Sequence, residues 1–319
     1  MQPIKRQAML MLLLGLASLV SSAAYAHNHE DNLVDLDGLM TAFGWDFDKA
    51  EIRVEKLDEN FYVLFGLGGN IGVSIGEHGT LVVDDQFPEM IPKVSEALAK
   101  LGSDKIHFAI NTHWHFDHAE GNLALGPEGT WIVAQENSRE KMLSDNVINL
   151  VSLKYLQKAY PEAALPVMTF SDRMQFHFNG QAIDLLHFGP AHTTGDAAVY
   201  FRGVNAIHLG DVFNRGYPFI DADSGGEIDG MIAFCEAVLG VIDQQTKVIP
   251  GHGEVSDFNG LAAYVSMLKT VRLRVDGMIA EGNTFDEIVA AKPTAEFDET
   301  YGDPGMFLNR TYESITKKR

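Results

Sequence analysis

Apolar and polar residues begin to alternate at Ile52. Ile52–Leu57 and Phe61–Phe65 change face at every residue and are separated by Asp58-Glu59-Asn60, the pattern of a β-hairpin. Gly66-Leu67-Gly68-Gly69 follows, then strands over Asn70–Ile75 and Thr80–Val83, the latter ending in Asp84-Asp85. From Pro88 to Leu101 the spacing of Val94, Leu98 and Leu101 is helical, and Gly102 closes it. The short, bounded run Ile106–Ile110 reads as a buried strand, and Thr130–Ala134 as another. A helical stretch is expected from Asn137 to Ala159, with a break near Asp145-Asn146.

The second half repeats the theme. Short strands are expected at Val167–Phe170, Met174–Phe178, Ala182–His187, Ala197–Phe201 and Asn205–His208. A Gly- and Asp-rich loop, Asn214–Glu227, leads to a helix over Ile228–Ile242 and a last strand, Lys247–Pro250. Beyond Asp257 the pattern is helical: Leu261–Ile279, Thr284–Ala291 and a segment from Pro304, the first with an apolar face that serves either the core or an interface. Strand runs followed by helices, twice over, predict two sheets back to back with helices outside. The division expected is a domain over 51–256 with a helical C-terminal extension, 257–319, packed on it.

The N-terminus follows neither period. Lys5 and Arg6 precede an apolar run from Ala8 to Val20 that is too short for a membrane span, and Ala24-Tyr25-Ala26 is a small-x-small cleavage site. Residues 1–26 therefore read as a signal peptide, with a mature chain beginning at His27 and exported, most simply to a bacterial periplasm. His27-Asn28-His29 is either a copper- or nickel-chelating start or a solvated terminus. Residues 27–50 form an acidic arm of uncertain order. No later stretch is long and apolar enough to cross a membrane.

Charge narrows the partners. With 44 acidic against 24 basic residues the formal charge is −20, which repels phosphate backbones and argues against nucleic acid. Cys235 is the only cysteine, so no internal disulfide can form; in an apolar helix it reads as a core residue rather than a reactive thiol.

The chemistry concentrates directly after Ile106–Ile110, in Asn111-Thr-His113-Trp-His115-Phe-Asp117-His118-Ala-Glu-Gly121-Asn122. If the chain stays extended there, residues at i, i+2 and i+4 share a face. His113, His115 and Asp117 then meet at one spot and His118 at another nearby, an arrangement suited to two metals. Trp114 and Phe116 alternate with them and point into core or rim. Matching residues stand at other strand ends: His192 in Gly189-Pro-Ala-His-Thr-Thr-Gly-Asp196, Asp211 after His208-Leu-Gly, and His252 between Gly251 and Gly253. Each is weak alone, and His78, His107, His177, His187 and His208 warn against counting every histidine. His107 and His187 lie inside strand patterns and read as packing or supporting residues.

Through His113-x-His115-x-Asp117-His118 and these partners the chain resembles the metallo-β-lactamase superfamily, over roughly Ile52 to Glu254. The resemblance implies an α/β fold, a four-layer αββα sandwich with a binuclear site along one edge of the sheets. It implies one zinc on His113, His115 and His192, a second on Asp117, His118 and His252, and Asp211 bridging them. Asp84 would support the ligand loop through hydrogen bonds. Ala290–Asp298 is similar to a poorly characterised branch of secreted members and says little about substrate.

The implied activity is hydrolysis of an ester, lactone or lactam carbonyl in a small-molecule substrate, by a hydroxide shared between two zinc ions and oriented by Asp117. Iron or manganese would accept the same ligands. Departures from the pattern bear on substrate. The β-lactamases of this compartment carry a cysteine and a lysine where Asp211 and Asn214 stand here, so dedicated β-lactamase activity is an alternative rather than the first reading. Glutathione thioesterase, nuclease and iron-based oxygen reductase activities lack their residues, charge or compartment. A metal-binding accessory protein without catalysis is the second alternative. Candidate substrate contacts are Asn70 in the Gly66–Asn70 loop, which is equally ordinary turn chemistry, together with Arg215 and Tyr217. Arg215 would hold a substrate carboxylate or pair with Asp221, Asp223 or Glu227.

Overall fold

Period-two patterning before residue 171 and again after it builds two sheets, and their facing apolar rows make the central core. The structure is a computed structural model that describes residues 33–319. The expected leader and the His27-Asn28-His29 start lie outside the described residues. The described part of the arm holds β1 (Leu33–Val34) and α1 (Leu36–Phe43). Then β2 (Arg53–Asp58), β3 (Phe61–Phe65), β4 (Ile71–Gly76) and β5 (Gly79–Val83) form an antiparallel meander. Helix α2 (Ile91–Lys100) crosses to β6 (Ile106–Ile110), which runs parallel to β5. The turns α3 (Phe116–Ala119) and α4 (Asn122–Leu125) lead to β7 (Trp131–Gln135) and α5 (Glu136–Met142). Next come β8 (Asn146–Asn149), β9 (Lys154–Gln157) and β10 (Met168–Phe170), the last completing a seven-stranded sheet in the order β10-β7-β6-β5-β4-β3-β2.

The second sheet is six-stranded: β11 (Arg173–Phe178), β12 (Gln181–Leu186), β13 (Ala198–Phe201), β14 (Ala206–His208), β15 (Lys247–Ile249) and β16 (Ser256–Asp257), in that order. Between β14 and β15, which are parallel, lies α6 (Ile228–Leu239). The chain ends in α7 (Phe258–Ala280), α8 (Phe285–Ala291), α9 (Asp298–Tyr301) and α10 (Gly305–Thr316).

Phe61, Val63, Leu81, Val83 and Ile110 of the first sheet pack against Ile183, Leu185, Val199, Phe201 and Ile249 of the second, with the Phe61 and Phe201 rings 4.5 Å apart. The alternate residues Leu64, Val73 and Val82 face the α2 layer, while Ile207 and Val248 face α6, α7 and α10. Four layers result, helix–sheet–sheet–helix, as period two requires when both faces of a sheet are covered. The face of α7 formed by Leu261, Tyr264, Leu268, Val271 and Val275 is fully or nearly fully covered within this core. Parallel pairs β5/β6 and β14/β15 deliver the loops at their carboxyl ends to one edge, where sites in such sheets form. Among the described residues no helix is long and apolar enough to cross a membrane.

One expected element is corrected. The helix predicted over Asn137–Ala159 stops at Met142, and β8 and β9 form a hairpin instead. Asn146 stops it by donating to the carbonyls of Lys141 and Ser144, both at 2.7 Å, while Asp145 accepts from Ala159 N at 2.9 Å. The hairpin gains β1 as a parallel third strand on β9, a contact distant in sequence that local pattern cannot display. The arm from residue 33 is thereby ordered. Asp35 caps α1, Leu39 is wholly buried beside Phe87, Trp114 and Phe116, and Lys93 Nζ donates to the carbonyls of Phe47, Asp48 and Ala50.

Candidate metal centre

Asp84 follows β5 with φ 63°, a left-handed conformation that Asp tolerates better than most residues. The turn aims its carboxylate across to the end of β6. Oδ1 accepts from Thr112 N at 2.7 Å, and Oδ2 accepts from Thr112 Oγ1 at 2.8 Å and faces His118 Nδ1 at 2.7 Å. Past His115 the chain does not stay extended. His115 is the last extended residue and Phe116 opens α3, so the helical turn swings Asp117 away from His113 and His115. The grouping expected from an extended strand is therefore corrected. His113 and His115 meet His192, whereas Asp117 meets His118 and His252, and His113, His118 and Asp211 form a third group between them.

Within each group the ligand atoms all lie within 4.8 Å of one another. His192 Nε2 is 2.8 Å from His115 Nδ1, and His118 Nε2 is 3.2 Å from His252 Nε2. Asp117 Oδ2 is 3.1 Å from His252 Nε2. Asp211 spans the set: Oδ1 faces His118 at 3.1 Å and His252 at 3.4 Å, and Oδ2 faces His192 at 3.8 Å. The outer nitrogens are tied back. His113 Nδ1 meets Thr112 Oγ1 at 3.0 Å, His115 Nε2 meets Asp221 Oδ2 at 3.1 Å, and His192 Nδ1 meets the Phe219 carbonyl at 2.8 Å. Such anchors fix each ring so that its other nitrogen points inward.

The donor set fits a cation. Basic nitrogens converge in pairs, and His113 Nε2 is buried without a hydrogen-bond partner. An unpartnered buried polar atom is costly, and an ion accepting several lone pairs removes that cost. Burial, followed by the neighbouring imidazoles of His118, His192 and His115, holds His113 well below the ordinary histidine range, leaving it a neutral donor. Burial pushes His118 the same way, yet the carboxylates of Asp211, Asp117 and Asp84 outweigh it and raise its pKa well above that range. Three carboxylates around one imidazole give the site an excess of negative potential. The His252 side chain is 39% exposed against 12% and 10% for Asp117 and Asp211, so the site opens beside His252.

The family model described as the metallo-beta-lactamase superfamily matches residues 65–257. The chain belongs to the metallo-β-lactamase superfamily. It is similar to the 2,4-dinitroanisole O-demethylase subunit alpha of Nocardioides sp., at 23% identity over 61% of this chain and 55% of that one, so the match spans about half of that relative. It is also similar to a "probable metallo-hydrolase" of Methanocaldococcus jannaschii, at 23% identity over 60% of this chain and 91% of the other. Among solved structures, the sec-alkylsulfatase Pisa1 from Pseudomonas sp. shares the fold with a TM-score of 0.66 and 14% identity, over 82% of this chain and 50% of that one. The DIM-1 metallo-beta-lactamase does so with a TM-score of 0.56 and 19% identity, over 70% and 99%.

In this superfamily member the loops around the cluster are held by the fold. Gly68 and Gly69 are required for close approach: a Cβ on Gly69 would stand 2.2 Å from His118 Cε1, and one on Gly68 2.4 Å from the Asp117 carbonyl. Asn70 spends both amide protons on the carbonyls of Pro250 and Gly253, at 2.9 and 2.8 Å, and so staples this loop to the one carrying His252. Tyr217 turns towards the C-terminal extension, its hydroxyl donating to Asp298 at 2.8 Å and its ring stacked on Phe307. Arg215 is exposed, with its backbone N–H on the His252 carbonyl at 3.1 Å and Nη1 on Ser256 Oγ at 2.8 Å. The acids considered as its partners are engaged elsewhere: Asp221 with His115, Asp223 with Arg310 and Lys317, Glu227 with Lys318. Trp114 and Phe116 are buried in the core beneath the arm. Cys235 is buried as well, and burial pushes its thiol pKa up. Of the other histidines, His208 faces the Asn70 carbonyl at 3.0 Å and His187 the Asp196 carbonyl at 2.7 Å.

Asp221 escaped sequence reasoning. It sits among other acids in a Gly/Asp-rich loop, and nothing local separates it from Asp223.

Proposed function

We propose that this chain is an exported hydrolase whose cluster holds two zinc ions and which acts on an ester, lactone or lactam carbonyl. His113, His115 and His192 would hold one ion, Asp117, His118 and His252 the other, with Asp211 between them. The observation that carries this reading is the reach of Asp211, with one oxygen towards His192 and the other towards His118 and His252. Such an ion pair supplies Lewis acidity and a water of lowered pKa. The protein's own part is orientation. Asp117 Oδ2 lies against His252 at the open side of the site, where it would orient the attacking water by accepting a hydrogen bond from it. Asp84, Thr112, Asp221 and the Phe219 carbonyl hold the rings in fixed orientations, which would limit reorganisation during reaction. Export rests on the leader-like pattern of residues 1–26.

Asn214 favours the carbonyl hydrolase over a dedicated β-lactamase. Its Oδ1 accepts from His252 N at 2.8 Å, so it secures the ligand loop where a lysine would grip a drug's carboxylate. The test is metal analysis followed by a substrate panel: chromogenic esters, lactones, cephalosporins, a sec-alkyl sulfate and 2,4-dinitroanisole. About two zinc-like ions per chain and turnover of an ester or lactone that Asp117→Asn abolishes are expected. One ion per chain would remove the role given to Asp211. Two ions with no turnover would leave the accessory reading in its place.

A further inference from the structure

The C-terminal helix α10 grips the loop that holds the first-site histidines. Loop 219–227 touches His115 and His192 repeatedly. Asp221 Oδ2 meets His115 Nε2 at 3.1 Å, Asp221 N donates to the His192 carbonyl at 3.0 Å, and Glu227 N donates to the Ala191 carbonyl at 2.7 Å. A Cβ on Gly226 would stand 2.2 Å from the His192 carbonyl oxygen, so the loop lies flat against that ligand's backbone. Asp221 also gathers the loop on itself, accepting from Ser224 N at Oδ1 (3.2 Å) and from Gly226 N at its carbonyl (2.8 Å).

On its other side the loop is fastened to α10 and to the two lysines that follow it. Arg310 Nη1 donates to Asp223 Oδ2 at 2.9 Å, Lys317 Nζ reaches Asp223 and the Ala222 carbonyl, and Lys318 pairs with Glu227 at 2.5 Å. Ile228 N, where the loop enters α6, donates to Ser314 Oγ at 3.0 Å. From the hairpin, Asn149 Nδ2 adds a bond to Asp223 Oδ2 at 2.9 Å. Arg310 is itself only 4% exposed. A buried guanidinium is expensive unless paired, and this one divides its donors between Asp223 and Asn309.

The second-site residues are held otherwise. His118 rests on Asp84 and Gly69, and His252 on Asn214 and Arg215. We propose that α10 is a clamp on the first metal position, and that Arg310 and Asp223 are positioning residues acting through Asp221 on His115 and His192. The clamp makes the extension part of the site, because its contacts fall on one half of the ligand set. This inference rests on the metal-binding reading above.

The experiment titrates zinc-stripped full-length chain with cobalt(II), followed by visible absorption, and then competes the metal off with a graded chelator. Arg310→Met and Asp223→Asn should weaken one of the two positions by several-fold, up to about tenfold, the lower end of the range for losing a residue that holds a metal ligand directly. The other position should be unchanged, and Arg310→Lys should recover part of the loss. Arg274→Gln, which breaks the Arg274–Glu296 pair elsewhere on the extension, should change neither position. Equal weakening of both positions, or a lowered melting temperature with both affinities intact, overturns the clamp. If Arg310→Met does not fold, the half-exposed Asp223 carries the test. A wild-type chain that binds no divalent ion fails the parent reading instead, which keeps the two failures distinct.

Discussion

Gly69→Ala isolates the claim that the glycine-rich loop cradles a ligand. Gly69 does not have a positive φ, so alanine meets no backbone objection there, and the whole effect is steric. Its Cβ would lie 2.2 Å from His118 Cε1 and 2.4 Å from Nδ1, more than 1 Å inside ordinary contact. The ring cannot yield freely, because Nδ1 is tied to Asp84 at 2.7 Å. Nor can the loop, whose Gly69 N–H donates to the Asp117 carbonyl at 2.8 Å and whose carbonyl accepts from Gln86 Nε2 at 2.6 Å. Overpacking of this kind costs about 1–3 kcal/mol. An ångström of misplacement at a reacting centre costs on the order of 100-fold in rate. We expect Gly69→Ala to lose metal at the position that includes His118 and to lower kcat/KM by one to two orders of magnitude, roughly, on any substrate found. Gly277→Ala is the control: nothing lies within 4 Å of the point its Cβ would occupy, and within α7 alanine should stabilise by about 0.5–1 kcal/mol. The assays are metal content by elemental analysis, thermal melting and steady-state kinetics. Gly69→Ala with metal content and turnover within twofold of wild type would refute the cradle.

Asn70→Ala removes donors from two carbonyls at the His252 loop, each worth about 1–3 kcal/mol when left unsatisfied, so melting should fall by several degrees. If melting holds and only KM rises, Asn70 is a substrate contact instead. Burial pushes Glu120 up to about 8, the Tyr155 hydroxyl opposing and Glu89 and Asp117 adding to the shift. A raised acid contributes stability fully below its unfolded value near 4.5 and loses it as pH rises through 8. Glu120→Gln should therefore flatten the pH dependence of the unfolding free energy between pH 5 and 9 relative to wild type, by up to a few kcal/mol in denaturant titrations; parallel curves would sink that reading. Asp223 runs the other way. Burial raises it, but Lys317, Asn149 and Arg310 outweigh burial and bring it to about 2, so its contribution persists above pH 4 and is lost only as pH falls through 2.

Most strands of both sheets were readable because period two is a local property, the two-residue β16 excepted, and the candidate metal-binding residues because each stands at the end of an apolar run. Other features depend on partners far away in sequence. Residues 146–157 alternate only weakly and become strands with help from β1 and from Asn146, which ends α5. Asp117 parts from His113 because α3 starts at Phe116, a turn that Trp and Phe at those positions do not advertise.

The same distinction explains why the supporting residues were harder to find than the ligands. A ligand is marked by its chemistry, since His and Asp at strand ends have few other uses in such number. A residue that holds a ligand is marked only by position. Asp84 was legible through the resemblance to the superfamily, which implies a supporting aspartate at that strand end; Asp221 and Asp223 have identical side chains two residues apart, and one faces His115 while the other faces Arg310. Gly69 and Gly226 look like turn glycines until the atoms a Cβ would meet are known. The loops around the cluster are consequently more constrained than their Gly and Asp content suggests. At the rim beside His252, Arg215 stands exposed without an acidic partner among the described residues.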